Sequence, residues 1–392
     1  MRETFLPYCR PDTARAEIAA ITECLQNGWL TTGPKVREFE DAFARAAGVK
    51  HAVALNSCTA ALHVGLLAAG VGPGDDVVMP SLTFVAGAQC TLEIGARPVF
   101  CDVDAETLTA GLEQIEVALT RKTKAIVVMP YAGRPMDVAA VVEFARDRGI
   151  AVIEDAAHAA GMLDRSEWAG TRSTLAAYSF YATKNLTTAE GGMLLTNDDD
   201  IMERVRILSL HGMDRDAWKR YTQGGSWRYD VREPGFKYNM PDIAAAMGLV
   251  QLQRLDAMQS RRDEIAERYI QAFSRMSGVR CQAPPSNPGD RHSWCMFVLR
   301  IIAEQTGVQR DDLIERLKEQ NIGTSVHYIP THHFHAYRSL APEGLAATDQ
   351  VSREIISLPL YPTMSDDDVN DVIEAVNRAI SPHRASEAML AS

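Results

Sequence analysis

Leu175 to Gly192 reads LAAYSFYATKNLTTAEGG. It opens on a short apolar run of strand length, places Lys184 just beyond that run, and ends in paired glycines. Working outward, six further short runs rich in apolar and β-branched residues predict strands: His51 to Ser57, Val77 to Phe84, Arg97 to Val103, Ala125 to Pro130, Ala151 to Ala156 and Gly192 to Asn197, with Ala176 to Tyr181 as the strand before the lysine. Helical stretches separate them, and alternation of this kind predicts a mostly parallel sheet covered on both faces. Asp137 to Arg148 is one such helix, with Val138, Val141, Val142 and Ala145 on one stripe and Gly149 as its stop.

Thr13 to Asn27 and Lys35 to Ala47 read as helices ahead of the sheet, separated by the hydroxyl- and glycine-rich loop GWLTTGP, Gly28 to Pro34, which suits approach to a ligand. After the sheet, His211 to Lys237 is polar and aperiodic, and too long for a plain connector, so it reads as a lid or an intersubunit arm. A helix from Asp242 to Ala272 leads into alternating Ser293 to Ile301, a helix from Arg310 to Gln320 and the segment Thr324 to Pro330. The expected division is a large α/β domain over 1–250, a smaller C-terminal α+β domain over 251–382, and a mobile tail over 383–392.

With 392 residues, 46% of them hydrophobic, the chain is longer than one core usually grows. A formal net charge of −11 argues against nucleic acid or an anionic membrane as the main partner. The N-terminus lacks a signal pattern and no apolar run is long enough to span a bilayer, so a cytoplasmic location is expected. The seven cysteines are scattered and form no CxxC pair, which indicates neither a disulfide framework nor a zinc ribbon.

The chemistry lies in two strand ends. Ile150 to Ala157 (IAVIEDAA) carries Asp155 at its close, while Lys184 follows the next strand. A lysine can hold an aldehyde as an imine, and a carboxylate can keep a pyridine nitrogen protonated so that the ring becomes an electron sink. Together they point to pyridoxal 5'-phosphate (PLP). Glu154, beside Asp155, is expected on the opposite face in a structural pairing. A free lysine at pH 7 is more than ~99.9% ammonium; a partly dry, cationic site favours the neutral amine, which can then carry a proton. Asn56 to Gly70 joins a strand to a helix through Ser57, Cys58 and Thr59, and a helix N-terminus with small hydroxyl residues suits a phosphate. Alone, that segment would read as an ordinary N-cap. GVGPGDD, Gly70 to Asp76, is no dinucleotide fingerprint, because its glycines close a helix and open a strand.

These stretches, with GDDVVMPSLTFVA, GARPVFCDVD, VIEDAAHAAG, SFYATKNLTTAEGGM, PGFKYNMPDIAAAMGLVQL and VHYIP, closely resemble the DegT/StrS family of sugar aminotransferases, from about Trp29 to Pro362. The resemblance implies the fold-type-I PLP-dependent transferase architecture: a three-layer large domain with a mostly parallel seven-stranded sheet, plus the smaller C-terminal domain. It implies that Lys184 binds the cofactor aldehyde, Asp155 pairs with the ring nitrogen and Phe84 stacks on the ring. Ser57, Thr59 and Ser179 would hold the phosphate, with Cys58 in the same cofactor-binding turn, Asn239 would reach it from the partner of a homodimer with composite sites, and His158 would lie beside the ring hydroxyl. His327 and Tyr328 would line the substrate cavity, with Thr31, Tyr181 and Asn185 as further substrate contacts. Arg228, with Arg215, Lys219, Arg220 and Arg232, would meet a diphosphate, although a solvated polar lid accounts for these cations equally well.

Three positions depart from the common pattern: Cys58 in the phosphate turn, Pro130 where a histidine is usual, and Arg134, a candidate extra cation. His327, His332, His333 and His335 invite a metal reading, but their spacing brings no carboxylate or cysteine set, and no metal site is expected. The expected reaction is two-stage transfer of an amino group from L-glutamate to a nucleotide-linked 4-keto-6-deoxyhexose. The alternatives are a non-nucleotide ketone such as a cyclitol, or a PLP-binding regulator without turnover. The intact lysine argues against a lyase or dehydratase.

Overall fold

The computed structural model describes residues 2–213, 229–285 and 287–380. Two helices open the chain, α1 (Arg15–Asn27) and α2 (Pro34–Ala47). The large sheet and its helices follow as β1 (His51–Leu55), α3 (Cys58–Ala68), β2 (Asp76–Pro80), α4 (Ala86–Glu93), β3 (Arg97–Cys101), α5 (Leu112–Ala118), β4 (Thr123–Val128), α6 (Val138–Arg146), β5 (Ala151–Asp155), β6 (Leu175–Ser179), β7 (Gly192–Thr196) and α7 (Asp199–Ser209). The remainder is α8 (Asp242–Phe273), β8 (Val279–Cys281), β9 (Phe297–Ile301), α9 (Ala303–Thr306), α10 (Arg310–Glu319), α11 (Ala346–Glu354), β10 (Ile355–Leu358) and α12 (Asp366–Ile380).

All seven expected strands form one sheet in the order β1-β7-β6-β5-β4-β2-β3. β7 runs antiparallel to both its neighbours, β1 and β6, and the other pairs are parallel. Burial on both faces explains the near-continuous apolar runs. Val53, Leu55, Val77, Met79, Val127, Ile153, Ala177 and Leu194 pack with α3, α4 and α7. On the reverse face, Ala54, Ala176, Tyr178 and Leu195 pack with α2 and α8, while Val78, Ile126, Val128 and Val152 pack with α5 and α6.

The strand expected over Val77 to Phe84 stops at Pro80, and Ser81 to Phe84 leaves the sheet as a loop. Thr324 to Pro330 forms no strand; Ser325 makes an isolated bridge to Ser357 and the rest is irregular. A second, antiparallel sheet runs β10-β9-β8. Its core joins Phe297, Leu299 and Ile356 to Tyr269 and Phe273 of α8, Leu313 and Leu317 of α10, and Val372 and Val376 of α12.

The 32-residue α8 passes without a break through position 250, where the domain boundary is expected, and contributes to both cores. Its first residue ties it to α2: the Asp242 carboxylate accepts hydrogen bonds from the N–H groups of Gly33, Lys35 and Val36 at 2.7, 3.2 and 3.1 Å. A carboxylate at a helix N-terminus satisfies orphan donors and opposes the positive end of the dipole. No helix among the described residues is long and apolar enough to cross a membrane. The tail over 383–392 lies outside the described residues.

Candidate active site

At the carboxyl edge of the parallel strands lies a cavity of about 330 Å³. This is where open α/β sheets bind ligands, because strand ends, loops and helix N-termini converge there. Eleven of the expected residues line it: Ser57, Cys58 and Thr59 from the β1–α3 turn, Phe84 from the loop after β2, Asp155 and His158 after β5, Ser179, Tyr181 and Lys184 after β6, and His327 and Tyr328 from the C-terminal part.

Ser57 caps α3 in an extended conformation, its hydroxyl accepting the Ala60 N–H at 3.0 Å. The next two N–H groups, of Cys58 and Thr59, have no acceptor within the helix. β7 begins hard against this turn. A Cβ at Gly192 would sit 2.4 Å from both the carbonyl carbon and oxygen of Ser57, so only glycine lets the strand pass. Ser179 ends β6 nearby, and the Lys184 N–H closes a turn onto the Tyr181 carbonyl at 2.9 Å, which brings the lysine back over the strand end.

Asp155 is buried, and burial pushes its carboxyl above the usual range despite the Ala157 N–H, the charge of Lys184 and the Cys58 thiol, all of which favour the carboxylate. The Ala157 N–H reaches Oδ1 at 3.2 Å and Cys58 Sγ lies 3.8 Å from the same oxygen. Burial, and then the Asp155 charge, raise the thiol well above its ordinary value, so Cys58 is a neutral donor here. His158 is pushed well below its ordinary value by burial, then by Lys184 and His327, and is neutral. Its Nε2 lies 2.9 Å from the Tyr328 hydroxyl, with the two rings stacked, and its Nδ1 is buried with no protein partner. His327 is brought down to about 4 by burial and then by Lys184, and its Nδ1 lies 2.9 Å from Ser357 Oγ. Phe84 and Tyr181 remain 57% and 47% exposed, presenting aromatic faces that the chain itself leaves uncovered.

Three expected residues lie elsewhere. Asn185 is buried and does not line the cavity; its amide nitrogen donates to the carbonyls of Ala160 and Ser293 at 3.2 and 2.6 Å, tying two loops together, and its Oδ1 has no protein partner. Thr31 is exposed and its carbonyl accepts the Asp242 N–H at 3.1 Å. Asn239 donates to Thr32 Oγ1 at 2.6 Å, so Thr31 and Asn239 belong to one loop cluster outside this chain's own cavity. Arg228 lies outside the described residues, as do Arg215, Lys219 and Arg220; Arg232 pairs with Glu203 at 2.9 Å. Arg134 is no cavity cation, because its guanidinium donates to the carbonyls of Ala283 and Pro135.

Sequence reasoning missed Glu190 and Met129, which also line the cavity, and the N-terminal segment behind it. The Tyr8 ring lies 5.2 Å from that of His327, and Cys9 Sγ approaches the Thr183 carbonyl at 3.6 Å. Glu190, directly before the paired glycines, carried a local signal; Tyr8 and Cys9 carried none.

The donors suit PLP: open helix N–H groups and hydroxyls for a phosphate, a buried carboxylate for a ring nitrogen, an uncovered aromatic face, an orphan imidazole nitrogen and one amine. Fold and cavity together define a PLP-dependent aminotransferase of fold type I. The chain belongs to the DegT/DnrJ/EryC1/StrS aminotransferase family, whose model matches residues 11–377. It is 47% identical over 381 residues to the spore coat polysaccharide biosynthesis protein SpsC of Bacillus subtilis, covering 96% of this chain and 97% of that one. Among solved structures, the aminotransferase TlmJ from Streptoalloteichus hindustanus is similar with 36% identity and a TM-score of 0.88, over 96% of this chain and 99% of that one. The candidate sugar aminotransferase Spr1654 from Streptococcus pneumoniae, in its PLP form, matches with 31% identity and a TM-score of 0.88 over the same shares.

Proposed function

We propose that this aminotransferase moves an amino group from L-glutamate to C4 of a nucleotide-linked 4-keto-6-deoxyhexose, in amino-sugar or natural-product glycan biosynthesis. The observation that carries the reading is the convergence of Lys184, Asp155, Ser57, Ser179, His158 and Phe84 on one cavity. The polysaccharide role of SpsC and the sugar assignment of Spr1654 support a sugar acceptor.

PLP, when bound, supplies an aldehyde for the donor amine and a ring that withdraws electrons from the reacting carbon. Ser57, Thr59 and Ser179, with the first N–H groups of α3, hold the phosphate. Asp155 would pair with the ring nitrogen, Phe84 would stack on the ring, and neutral His158 would hydrogen-bond beside the ring hydroxyl. Lys184 would anchor the cofactor and, once released as a free amine, would take the proton from the donor's α-carbon and deliver it to the cofactor's former aldehyde carbon, on the other side of the nitrogen. His327, uncharged near neutrality, and Tyr328 hydrogen-bond the sugar rather than pair with a charge. Thr31 and Asn239 complete the site of a second copy in a two-fold homodimer, which explains why their own cavity does not include them.

The test is a half-reaction. PLP-loaded enzyme with L-glutamate should release one equivalent of 2-oxoglutarate per site and show the spectral change from the aldehyde to the amine form. The amine form should then be consumed by a UDP-, dTDP- or GDP-linked 4-keto sugar and not by a free cyclitol ketone. Silence with glutamate removes the donor assignment; turnover with the cyclitol alone removes the nucleotide sugar. Sedimentation across a dilution series tests the dimer, and a fully active monomer would refute it.

A further inference from the structure

The carboxylate that the histidine spacing lacked in sequence is supplied by the fold. His332 and His333 close a 3-10 turn, Thr331–His333. Asp349 lies in α11, and its Oδ1 is 3.1 Å from His332 Nε2 and 2.8 Å from His333 Nε2. We propose that these three side chains bind a first-row divalent metal ion of the zinc type, in a site behind the active-site wall and separate from the catalytic cavity.

The ligand atoms all lie within 4.8 Å of one another. Tetrahedral zinc, with bonds of about 2.0–2.1 Å, sets its ligand atoms about 3.3 Å apart, so small side-chain rotations suffice to seat an ion. Ser81 supplies the outer support. Its Oγ is 2.7 Å from His332 Nδ1 and also accepts the His332 N–H at 3.3 Å. A hydroxyl can donate or accept, so with the His332 proton on Nδ1 it holds the ring while the Nε2 lone pair faces the ion. Each imidazole would bind as the neutral tautomer protonated on Nδ1. Among the described residues no lysine or arginine pairs with Asp349, which leaves its charge available to a cation. His333 and Asp349 are 43% and 42% exposed, so the remaining coordination positions open to water. Two imidazole nitrogens and one carboxylate favour zinc, cobalt, nickel or copper over magnesium or calcium.

Such an ion would cross-link two segments directly, the Thr331–His333 turn and α11, and a third, the loop carrying Ser81, through the Ser81 contact to His332. The Thr331–His333 turn follows directly on His327 and Tyr328 of the cavity wall. Thr331 also docks on the loop that ends in Phe84, its N–H donating to the Ser81 carbonyl at 2.8 Å and its hydroxyl to the Thr83 carbonyl at 3.2 Å. α11 is fixed in turn by Asp102, which accepts from the N–H groups of Ala347 and Thr348 at 3.0 and 2.7 Å. The site is therefore a clamp on the wall carrying Tyr328 and Phe84, and contributes no group to the reaction.

The experiment uses untagged, full-length, PLP-loaded enzyme, stripped with a chelator and dialysed, then titrated with Co²⁺ by visible absorption and with Zn²⁺ by calorimetry. Saturable binding of one ion per chain is expected, together with a melting temperature that rises with zinc concentration. Asp349→Asn and His333→Gln should each weaken binding by at least about tenfold. His335→Gln, at an exposed neighbouring histidine outside the triad, should bind as the parent does, and millimolar Mg²⁺ should leave the cobalt spectrum unchanged. Both test positions are exposed, and melting in metal-free buffer checks that the variants fold. Absence of saturable binding, binding that survives both substitutions, or displacement by Mg²⁺ would overturn the proposal and leave a hydrogen-bonded triad.

Discussion

Glu154 and Asp155 are consecutive residues at the end of β5, and strand alternation sends one carboxylate to each face of the sheet. Both are buried, and in both burial is the largest influence and raises the carboxyl. Their surroundings differ in kind. Glu154 is enclosed by its own chain, its Oε1 accepting from the Gly170 N–H at 2.7 Å and the Ser173 hydroxyl at 2.6 Å. Asp155 borders a cavity, with a thiol, one N–H and a lysine charge for company. One acid belongs to a finished structure and the other to a site that a ligand completes. A buried carboxylate beside an open cavity is a stability liability that persists where function needs it.

The largest effect expected on the cavity side is from Lys184. Lys184→Arg keeps a cation near Asp155 but cannot form an imine or shuttle a proton, and should slow the glutamate half-reaction by about 10⁴-fold or more. Single-turnover absorbance measures it, and a rate within tenfold of the parent would break the assignment. Asp155→Asn comes next. It should lower the same rate by roughly 10²- to 10³-fold, the range for removing one preorganised electrostatic group. The cofactor-free variant should also melt at a higher temperature than the parent near neutral pH, because a buried charge has gone.

Glu154→Gln is the converse. Its folded-state carboxyl is raised from 4.5 to about 7, so the protonated form favours the fold. That contribution is complete below the unfolded value and is lost as pH rises through about 7, by up to roughly 3 kcal/mol. The parent should therefore lose stability between pH 5 and 8 (about the window of the shift), and the variant should lose much less, with its transfer rate little changed. Urea denaturation across that range decides it. An unchanged pH slope, or a large fall in rate, would erase the distinction between the two faces.

The same contrast explains what the sequence made legible. Strands, their order of appearance and the lysine–acid pair could be read because burial on both faces demands apolar runs and the chemistry demands those residue types. Asn185 could not, since a buried amide reads identically whether it meets a substrate or, as here, two carbonyls. Ser81 to Phe84 continues an apolar run, yet leaves the sheet to carry Phe84 to the cavity. Thr324 to Pro330 had a strand's composition, but His327 and Tyr328 serve the cavity instead of a ladder. Asp349 stands 16 residues from His333 with no local pattern to join them; only the packing of α11 against the Thr331 turn does so.

The finest test concerns Cys58, which touches the Asp155 side of the comparison alone. Its neutral thiol approaches Asp155 Oδ1 at 3.8 Å and the Ala177 carbonyl at 3.3 Å, so the carboxylate receives a long, shared S–H contact. That contact favours the ionised acid, against the burial that opposes it. Cys58→Ala removes the donor while leaving the turn's backbone N–H groups in place. The Asp155 carboxyl should then rise further, moving the acid limb of the glutamate half-reaction to higher pH. A weak donor is worth about 0.5 kcal/mol, which corresponds to a displacement of roughly 0.4 pH unit. Rates well above the limb should change less than about twofold, since no group that moves a proton has been altered. A limb that stays in place would show that the two residues are neighbours without coupling. A limb that moves by several times this amount would mean that the thiol supports Asp155 far more strongly than its geometry implies.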